Sequence, residues 1–263
     1  MRPLTENFTA DGPEHTIVAN EGAAVATGVG YALATGKVPL VYMQNSGLGN
    51  TVNPLLSLAH PRVYSVPMVL LVGWRGQPGT ADEPQHRVQG ECTTTMLDSL
   101  GIPWSVVSGE EDESDLDGAL EAAQRTGGPV ALCVPKGTFA SSGVEKTTTP
   151  PHAEYPLTRA AMLSCLLDTL PSDATRYVAS TGFAGRELYQ LREERGETHD
   201  HDFLNVGAMG HASSIALGVA MDTDKSVVCI DGDGAAIMHL GAWCTVGARA
   251  AAVPNLTHVV FHN

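Results

Sequence analysis

Short runs of β-branched and aliphatic residues alternate with alanine-rich stretches along most of this chain. The runs Val38–Met43, Met68–Gly73 and Val130–Val134 are almost wholly apolar, as strands are when helices cover both faces of a parallel sheet. Stretches of helical period, such as Gly22–Ala34 and Ser114–Arg125, separate several of these runs. The alternation predicts an α/β fold in which helices flank a mostly parallel sheet. Further strands are expected at Thr16–Ala19, Trp104–Val107, Tyr177–Ala179, Val227–Ile230 and Thr257–Phe261.

The rhythm of strands and helices breaks once, in a segment rich in Thr, Ser, Gly and Pro. Residues 137–157 have no apolar periodicity, which is typical of an interdomain linker. Thr158 is then a suitable N-cap for a helix that continues through Leu170. We therefore predict two α/β domains, residues 1–136 and residues 158–263. The second domain stops at Asn263 on a strand-like run, so we expect it to be truncated, that is, incomplete at its C-terminus.

The formal net charge of −14 argues against two classes of partner. Nucleic acids and anionic membranes bind basic surfaces, which release counterions or meet lipid headgroups. No apolar run approaches the ~20 residues that a membrane helix needs, and the N-terminus shows no targeting pattern. We expect a cytoplasmic protein. A small anionic substrate remains compatible with the charge, because one arginine and a few backbone N–H groups can hold an anion in a pocket.

A strand that ends in Asp-Gly-Asp-Gly suggests a phosphate and metal site. The run Val227–Gly234 brings Gly232, Asp233 and Gly234 to the carboxyl edge of the predicted sheet, where open α/β folds bind phosphates. Asn263 follows Asp233 by 263 − 233 = 30 positions, at the end of the next strand. Parallel strands joined by a crossover helix place such residues side by side, where their oxygens could share one Mg²⁺. An isolated Gly-Asp-Gly is more often a plain turn, so this interpretation depends on Asn263.

The Gly-Asp-Gly motif followed at this interval by Asn resembles the cofactor motif of the thiamine-diphosphate-dependent enzymes. The resemblance implies that Asp233 and Asn263 bind Mg²⁺ and that thiamine diphosphate binds beside them, with Gly232 and Gly234 in contact. The next metal ligand of the family, a backbone carbonyl beyond the Asn, has no counterpart in this sequence.

Two glycine-containing turns extend the resemblance. In the turn from Gly207 to Gly210, Met209 matches the apolar residue that supports the cofactor in its bent conformation. A Gly/Ala-rich helix that simply packs tightly would also account for this segment. His211 matches a histidine found in those members of the family that decarboxylate phosphonopyruvate. Thr181 and Gly182 match a turn that contacts the diphosphate of the cofactor.

Glu21 stands at a predicted strand-to-helix junction, where a carboxylate is also favoured by the helix dipole alone. The resemblance implies a catalytic role, because Glu21 matches the family's glutamate that hydrogen-bonds the aminopyrimidine ring and promotes activation of the cofactor. In that family the pyrimidine-binding and diphosphate-binding domains usually come from different subunits. The resemblance therefore implies a homodimer or higher homo-oligomer with active sites between subunits.

Two further loops resemble signatures of the phosphonopyruvate and sulfopyruvate decarboxylases. By composition alone, either Met43–Asn53 or Trp74–His86 could be an ordinary surface loop. The resemblance makes them candidates for binding a 2-oxo acid, and a doubly charged phosphonate would suit a guanidinium fork or several N–H donors. The candidate substrate residues are Asn45, Ser46, Gly47, Asn50, Arg75, His86 and His211.

The resemblance implies decarboxylation of 3-phosphonopyruvate to phosphonoacetaldehyde and CO₂, with thiamine diphosphate and Mg²⁺. It also suggests a role in phosphonate biosynthesis. Two alternatives remain open at this point: a sulfopyruvate decarboxylase, and an inactive truncated remnant of such an enzyme.

Overall fold

The computed structural model describes residues 15–107, 109, 114–139 and 157–262. The chain divides into two compact units, residues 1–147 and residues 148–263. Most of the predicted linker lies outside the described residues, so the predicted domain limits stay predictions. None of the helices in the described ranges combines the length and the apolar character that crossing a bilayer requires.

The first unit is built on a parallel sheet with the strand order β1-β2-β4-β3. All residues of the two central strands are buried, which explains why their sequences are continuous apolar runs rather than alternating ones. A 3₁₀ turn at Asn45–Gly47 joins the first strand to the following helix. The elements are α1 (Glu21–Thr35), β1 (Leu40–Gln44), α2 (Leu48–Pro54), β2 (Met68–Gly73), α3 (Pro84–Ser99), β3 (Trp104–Val106), α4 (Ser114–Thr126) and β4 (Pro129–Val134).

Successive residues of β2 supply two different cores, one on each face of the sheet. Met68, Leu70 and Val72 pack on one face, in a cluster that includes residues of α1, α2 and α3. Leu71 packs on the opposite face against Ala119 and Ala123 of α4. Burial of an aliphatic side chain of this size contributes roughly 1.5–3 kcal/mol, so helices on both faces are needed to stabilise the strand.

The second unit has the same architecture, with the strand order β6-β5-β7-β8 and all pairs parallel. Arg192 is fully buried in this unit, where it forms a bidentate contact with Asp202 and lies over the ring of Tyr177. The elements are α5 (Arg159–Thr169), β5 (Thr175–Ala179), α6 (Phe183–Arg195), β6 (Asp202–Leu204), α7 (Ala212–Ala220), β7 (Ser226–Gly232), α8 (Asp233–Met238), α9 (Ala242–Arg249) and β8 (Leu256–Phe261).

These elements confirm the predicted α/β class and most of the predicted strands, but one predicted strand is wrong. Thr16–Ala19 pairs with no strand in the described part of the chain, and Ile17 is 88% exposed. β-Branched composition favours a strand only where a sheet edge accepts it, and none does so here. Conversely, β6 was not predicted, because its three residues follow a polar stretch and have no periodicity of their own.

Candidate active site

The carboxyl ends of the parallel strands in the second unit gather the predicted cofactor residues at one edge of the sheet. Ser180 follows β5 and Asp233 follows β7. The buried Ser180 side chain joins the two ends, because its Oγ accepts a hydrogen bond from the Gly232 N–H at 3.4 Å. Gly232 is in register with Phe261 of β8, so the residues after these two strands emerge side by side.

Asp233 begins α8 and presents its carboxylate at this edge. Its Oδ1 accepts the Gly234 N–H at 2.7 Å, and its Oδ2 lies 3.1 Å from Nδ1 of His262. The predicted partner Asn263 lies outside the described residues, so its role as a metal ligand stays a prediction. His262, the residue just before it, was not predicted; its contact with Asp233 depends on the register of β7 and β8.

Helices α6, α7 and α8 all begin at this edge, and none of them has a side-chain N-cap hydrogen bond. The N-cap of α6 is Gly182, whose φ of 114° and ψ of −150° belong to a region that only glycine occupies readily. Thr181 donates its hydroxyl hydrogen to the Val206 carbonyl at 3.1 Å, which ties the turn to the next loop. At α6 and α7 such starts leave backbone N–H groups available to an anion, whereas at α8 the Gly234 N–H already donates to Asp233.

The turn from Gly207 to Gly210 carries Met209 over the Gly-Asp-Gly segment. A Cβ built on Gly234 would lie 3.4 Å from Met209 Cε, an ordinary contact distance, so the end of the Met209 side chain lies close to Gly234. Ala208 has a positive φ of 46°, an uncommon conformation for a residue with a side chain. The turn thus holds Met209, which is 38% exposed, at the same edge as Asp233.

His211 caps this turn. Its Nδ1 lies 3.1 Å and 3.2 Å from the carbonyl oxygens of Ala208 and Met209. Since carbonyl oxygens only accept, Nδ1 carries the hydrogen and Nε2 is the nitrogen left for another partner. The ring also packs at 4.4 Å from that of His239.

Beneath this edge, three buried or half-buried side chains form a second polar group. Asp231 Oδ2 lies 2.8 Å from His258 Nε2 on the neighbouring strand and 4.0 Å from Cys229 Sγ. Burial, together with the negative charge of Asp231, raises the pKa of the Cys229 thiol, so the thiol stays protonated at neutral pH. The hydrogen bond between Asp231 and His258 links β7 to β8.

In the first unit, Glu21 is the first residue of α1, and its side chain packs closely against Gly47 and Asn50. Its Oε2 accepts a hydrogen bond from Asn50 Nδ2 at 2.8 Å. A Cβ on Gly47 would lie 2.4 Å from the Glu21 carboxyl carbon, so only glycine fits there without displacement. The structure therefore brings Glu21, Gly47 and Asn50 together. The family resemblance had instead made Gly47 and Asn50 candidates for binding the substrate.

Arg75 follows the end of β2 and forms a bidentate pair with Asp82, at 2.7 Å and 2.5 Å. Burial and the charge of Arg75 lower the pKa of His86, so this imidazole is neutral at pH 7. Asn45 is buried and holds the Arg75 backbone through both the N–H and the carbonyl. Ser46 is exposed and accepts a hydrogen bond from Gln44.

Two residues that hold Arg75 and Asn45 in place were not predicted from the sequence. Asp82 orients Arg75, and Thr93 of α3 accepts a hydrogen bond from Asn45 at 2.9 Å. Asp82 lies in the Trp74–His86 loop, so its sequence proximity to Arg75 was an available signal. Nothing in the sequence relates Thr93 to Asn45, which is 48 positions away.

Two domain families of known proteins match this chain. The N-terminal TPP binding domain of thiamine pyrophosphate enzymes matches residues 1–98, and the C-terminal TPP binding domain matches residues 180–263. A phosphonopyruvate decarboxylase of Streptomyces viridochromogenes is 37% identical over 280 residues, and one of Streptomyces hygroscopicus is 36% identical over 279 residues. Each of these alignments covers 100% of this chain and 67% of the relative.

A sulfopyruvate decarboxylase of Methanosarcina acetivorans is more distant, at 28% identity over 265 residues, covering 94% of this chain and 65% of that protein. The chain thus spans about two thirds of the length of the relatives it matches. Both domain models match, and the alignments to the two Streptomyces relatives cover all of this chain. The chain therefore belongs to the thiamine pyrophosphate enzymes and, within them, to the phosphonopyruvate decarboxylase group.

Proposed function

We propose that this chain serves the decarboxylation of 3-phosphonopyruvate to phosphonoacetaldehyde and CO₂, with thiamine diphosphate and Mg²⁺ as cofactors. The observation that carries the proposal is the edge of the second sheet, where the Asp233 carboxylate stands beside uncapped helix starts and next to the end of β8. The two Streptomyces relatives, both named phosphonopyruvate decarboxylase, support the choice of phosphonopyruvate as the substrate.

The residues at that edge fit a magnesium diphosphate. A carboxylate is a hard oxygen ligand of the kind Mg²⁺ prefers, and Asp233 would hold the metal together with Asn263. Gly232 and Gly234 flank it, so the backbone can approach the phosphate oxygens. Thr181, Gly182 and Gly207 would contact the diphosphate, and Met209 would support the cofactor ring system.

When bound, thiamine diphosphate supplies the electron sink for the electrons released as CO₂ leaves. The part of the protein is to bind, orient and move protons. Glu21 would hydrogen-bond the aminopyrimidine ring and hold the proton that activates the cofactor. Because α1 is capped by Asn20, whose Oδ1 accepts the N–H of Gly22 at 2.8 Å, the Glu21 carboxyl is not needed as the helix cap.

Arg75 is our candidate for the phosphonate. A guanidinium has five N–H donors, and Asp82 accepts from Nε and one terminal nitrogen, which fixes the plane of the group and leaves other donors. His86, being neutral at pH 7, would contribute a hydrogen bond rather than a charge. Asn45 is used in holding Arg75, so we assign it a supporting role, with Ser46 and His211 as further candidates.

Sulfopyruvate is the alternative substrate, because a sulfonate also suits a guanidinium and the Methanosarcina relative bears that name. A direct assay separates the two. Purified protein with thiamine diphosphate and Mg²⁺ is offered each 2-oxo acid, and CO₂ and the aldehyde are measured. We expect a kcat/KM at least about tenfold higher for phosphonopyruvate; the reverse order would reassign the substrate.

The same preparation tests the cofactors and the remnant alternative. Thiamine diphosphate with Mg²⁺ should raise the thermal midpoint of the chain, chelation should reverse the rise, and Asp233→Asn should abolish it. A version extended beyond Asn263 is measured in parallel. A rise in the extended version alone would support an inactive remnant, and no rise in either would refute the proposal.

A further inference from the structure

Asn50 contacts Glu21 directly, although the resemblance had suggested that it binds substrate. Asn50 lies in α2, and its Nδ2 donates to Glu21 Oε2 at 2.8 Å. Within the described residues, this bond is the one that the Glu21 carboxyl group accepts. Both side chains are half-buried, so the bond is partly shielded from water.

Two glycines, Gly47 and Gly22, pack closely against the two residues of this hydrogen bond. Gly47 leaves space where a Cβ would lie 2.4 Å from Cγ, Cδ and Oε1 of Glu21. Gly22 leaves space where a Cβ would lie 2.6 Å from the Asn50 carbonyl oxygen. The two glycines thus allow α1 and α2 to approach closely enough for the Asn50 amide to reach the carboxylate. A carboxylate at a helix start that served only the helix would not require this fit.

The first backbone N–H groups of α1 do not depend on the Glu21 carboxyl group for a hydrogen-bond acceptor. Asn20 accepts from the N–H groups of Gly22 and Ala23, at 2.8 Å and 3.4 Å. The Glu21 carboxyl therefore turns away from its own helix and toward α2. A carboxylate with one oxygen held by an amide and the other left toward Gly47 has a defined direction, which a proton-holding group requires.

We propose that Asn50 is a positioning residue for Glu21: its amide holds one carboxyl oxygen so that the other is presented to the aminopyrimidine ring, and it does not bind the 2-oxo acid. The inference rests on the proposed function. It predicts that removing the amide slows activation of the cofactor and leaves substrate binding unchanged.

The test measures cofactor activation without turnover. Exchange of the thiazolium C2 hydrogen for deuterium is followed by NMR in protein loaded with thiamine diphosphate and Mg²⁺, in the absence of substrate. Asn50→Ala should slow this exchange by about ten- to a hundredfold, since small misplacements of a catalytic group cost rates of that order. Its KM for phosphonopyruvate should stay within about twofold of the parent value, because uniform substrate binding is untouched.

Two variants make the result decisive. Gln124→Ala removes an exposed amide from α4, outside both candidate substrate loops, and its exchange rate should match the parent. Gly47→Ala pushes on the Glu21 carboxyl from the other side and should slow exchange as Asn50→Ala does. Cofactor affinity and thermal midpoint are measured for each, and Gly47→Ala decides the question if Asn50→Ala does not fold.

Glu21→Gln separates the inference from the function on which it rests. If Glu21→Gln abolishes exchange and Asn50→Ala leaves it at the parent rate, the positioning role is wrong while the role of Glu21 stands. A raised KM with unchanged exchange in Asn50→Ala would return Asn50 to the substrate. Unchanged exchange in Glu21→Gln would overturn both proposals.

Discussion

The pair of Arg75 and Asp82 is unequally exposed: 38% of the Arg75 side chain is accessible, against 5% of the Asp82 side chain. The hydrogen bond from the guanidinium holds the pKa of Asp82 well below its usual range, although burial acts in the opposite direction. The Gly76 N–H donates to the same carboxylate at 2.8 Å. Asp82 therefore stabilises the loop that presents Arg75, and the effect depends on its being ionised.

Asp82→Asn should lower the free energy of unfolding at pH 7 by about 1.5–3 kcal/mol, the range for hydrogen bonds to charged groups. Because the pKa of Asp82 is lower in the folded than in the unfolded protein, its contribution is complete above the unfolded pKa of about 4 and is lost as the pH falls toward the folded pKa. Urea denaturation from pH 7 to pH 3 measures the difference.

The control for this prediction is Glu121→Gln, which removes one exposed negative charge from α4. It should change the free energy of unfolding by less than about 0.5 kcal/mol at each pH. A difference between the parent and Asp82→Asn that stayed constant down to pH 3 would show that the charge of Asp82 is not the cause.

At the scale of elements, α3 anchors the segment after β2 that carries Arg75. Trp74 Nε1 donates to the Gly90 carbonyl of α3 at 2.9 Å. The approach is close enough that a Cβ on Gly90 would lie 1.8 Å from the Gly76 carbonyl oxygen. The position of Arg75 therefore depends on a glycine in a helix that follows it in the chain.

Gly90→Ala should lower the free energy of unfolding by about 2–3 kcal/mol, because the backbone of either α3 or Gly76 must move to admit the methyl group. The matched control is Gly118→Ala in α4, where an added Cβ meets nothing within 4 Å. There alanine should stabilise the helix by about 0.5–1 kcal/mol. Denaturant midpoints of both variants give the comparison, and a neutral Gly90→Ala would show that the contact is loose.

At the scale of the whole molecule, each unit has its own parallel sheet and its own buried clusters. The predicted catalytic glutamate belongs to the first unit and the predicted metal ligand Asp233 belongs to the second. We expect a homo-oligomer, because the family resemblance implies that one cofactor is served by the two units of different subunits.

This expectation can be tested by mixing two inactive variants, Glu21→Gln and Asp233→Asn. If each site takes its glutamate from one subunit and its metal ligand from another, a mixed dimer contains one intact site. Unfolding and refolding an equimolar mixture should then restore about a quarter of the parent activity. A mixture as inactive as its components would show that each subunit serves its own cofactor.

The fold was largely predictable because it depends on periodic signals. The bounds of β2 were predicted without error, since a strand covered on both faces must be apolar throughout. The helix predicted after Thr158 is confirmed, with Thr158 accepting the Ala161 N–H at 3.2 Å. The strand predicted at Thr16–Ala19 failed because local propensity does not supply a pairing partner.

The sequence by itself determined which residues stand at strand ends, because the alternation of strands and helices sends every polar residue after a strand to one edge of its sheet. Asp233 was found in this way, whereas Thr181 and Met209 were identified by the family resemblance. Only the tertiary structure decided that Asn50 meets Glu21, 29 positions away, and that His262 meets Asp233. Such contacts depend on helix approach and strand register, which no local pattern encodes.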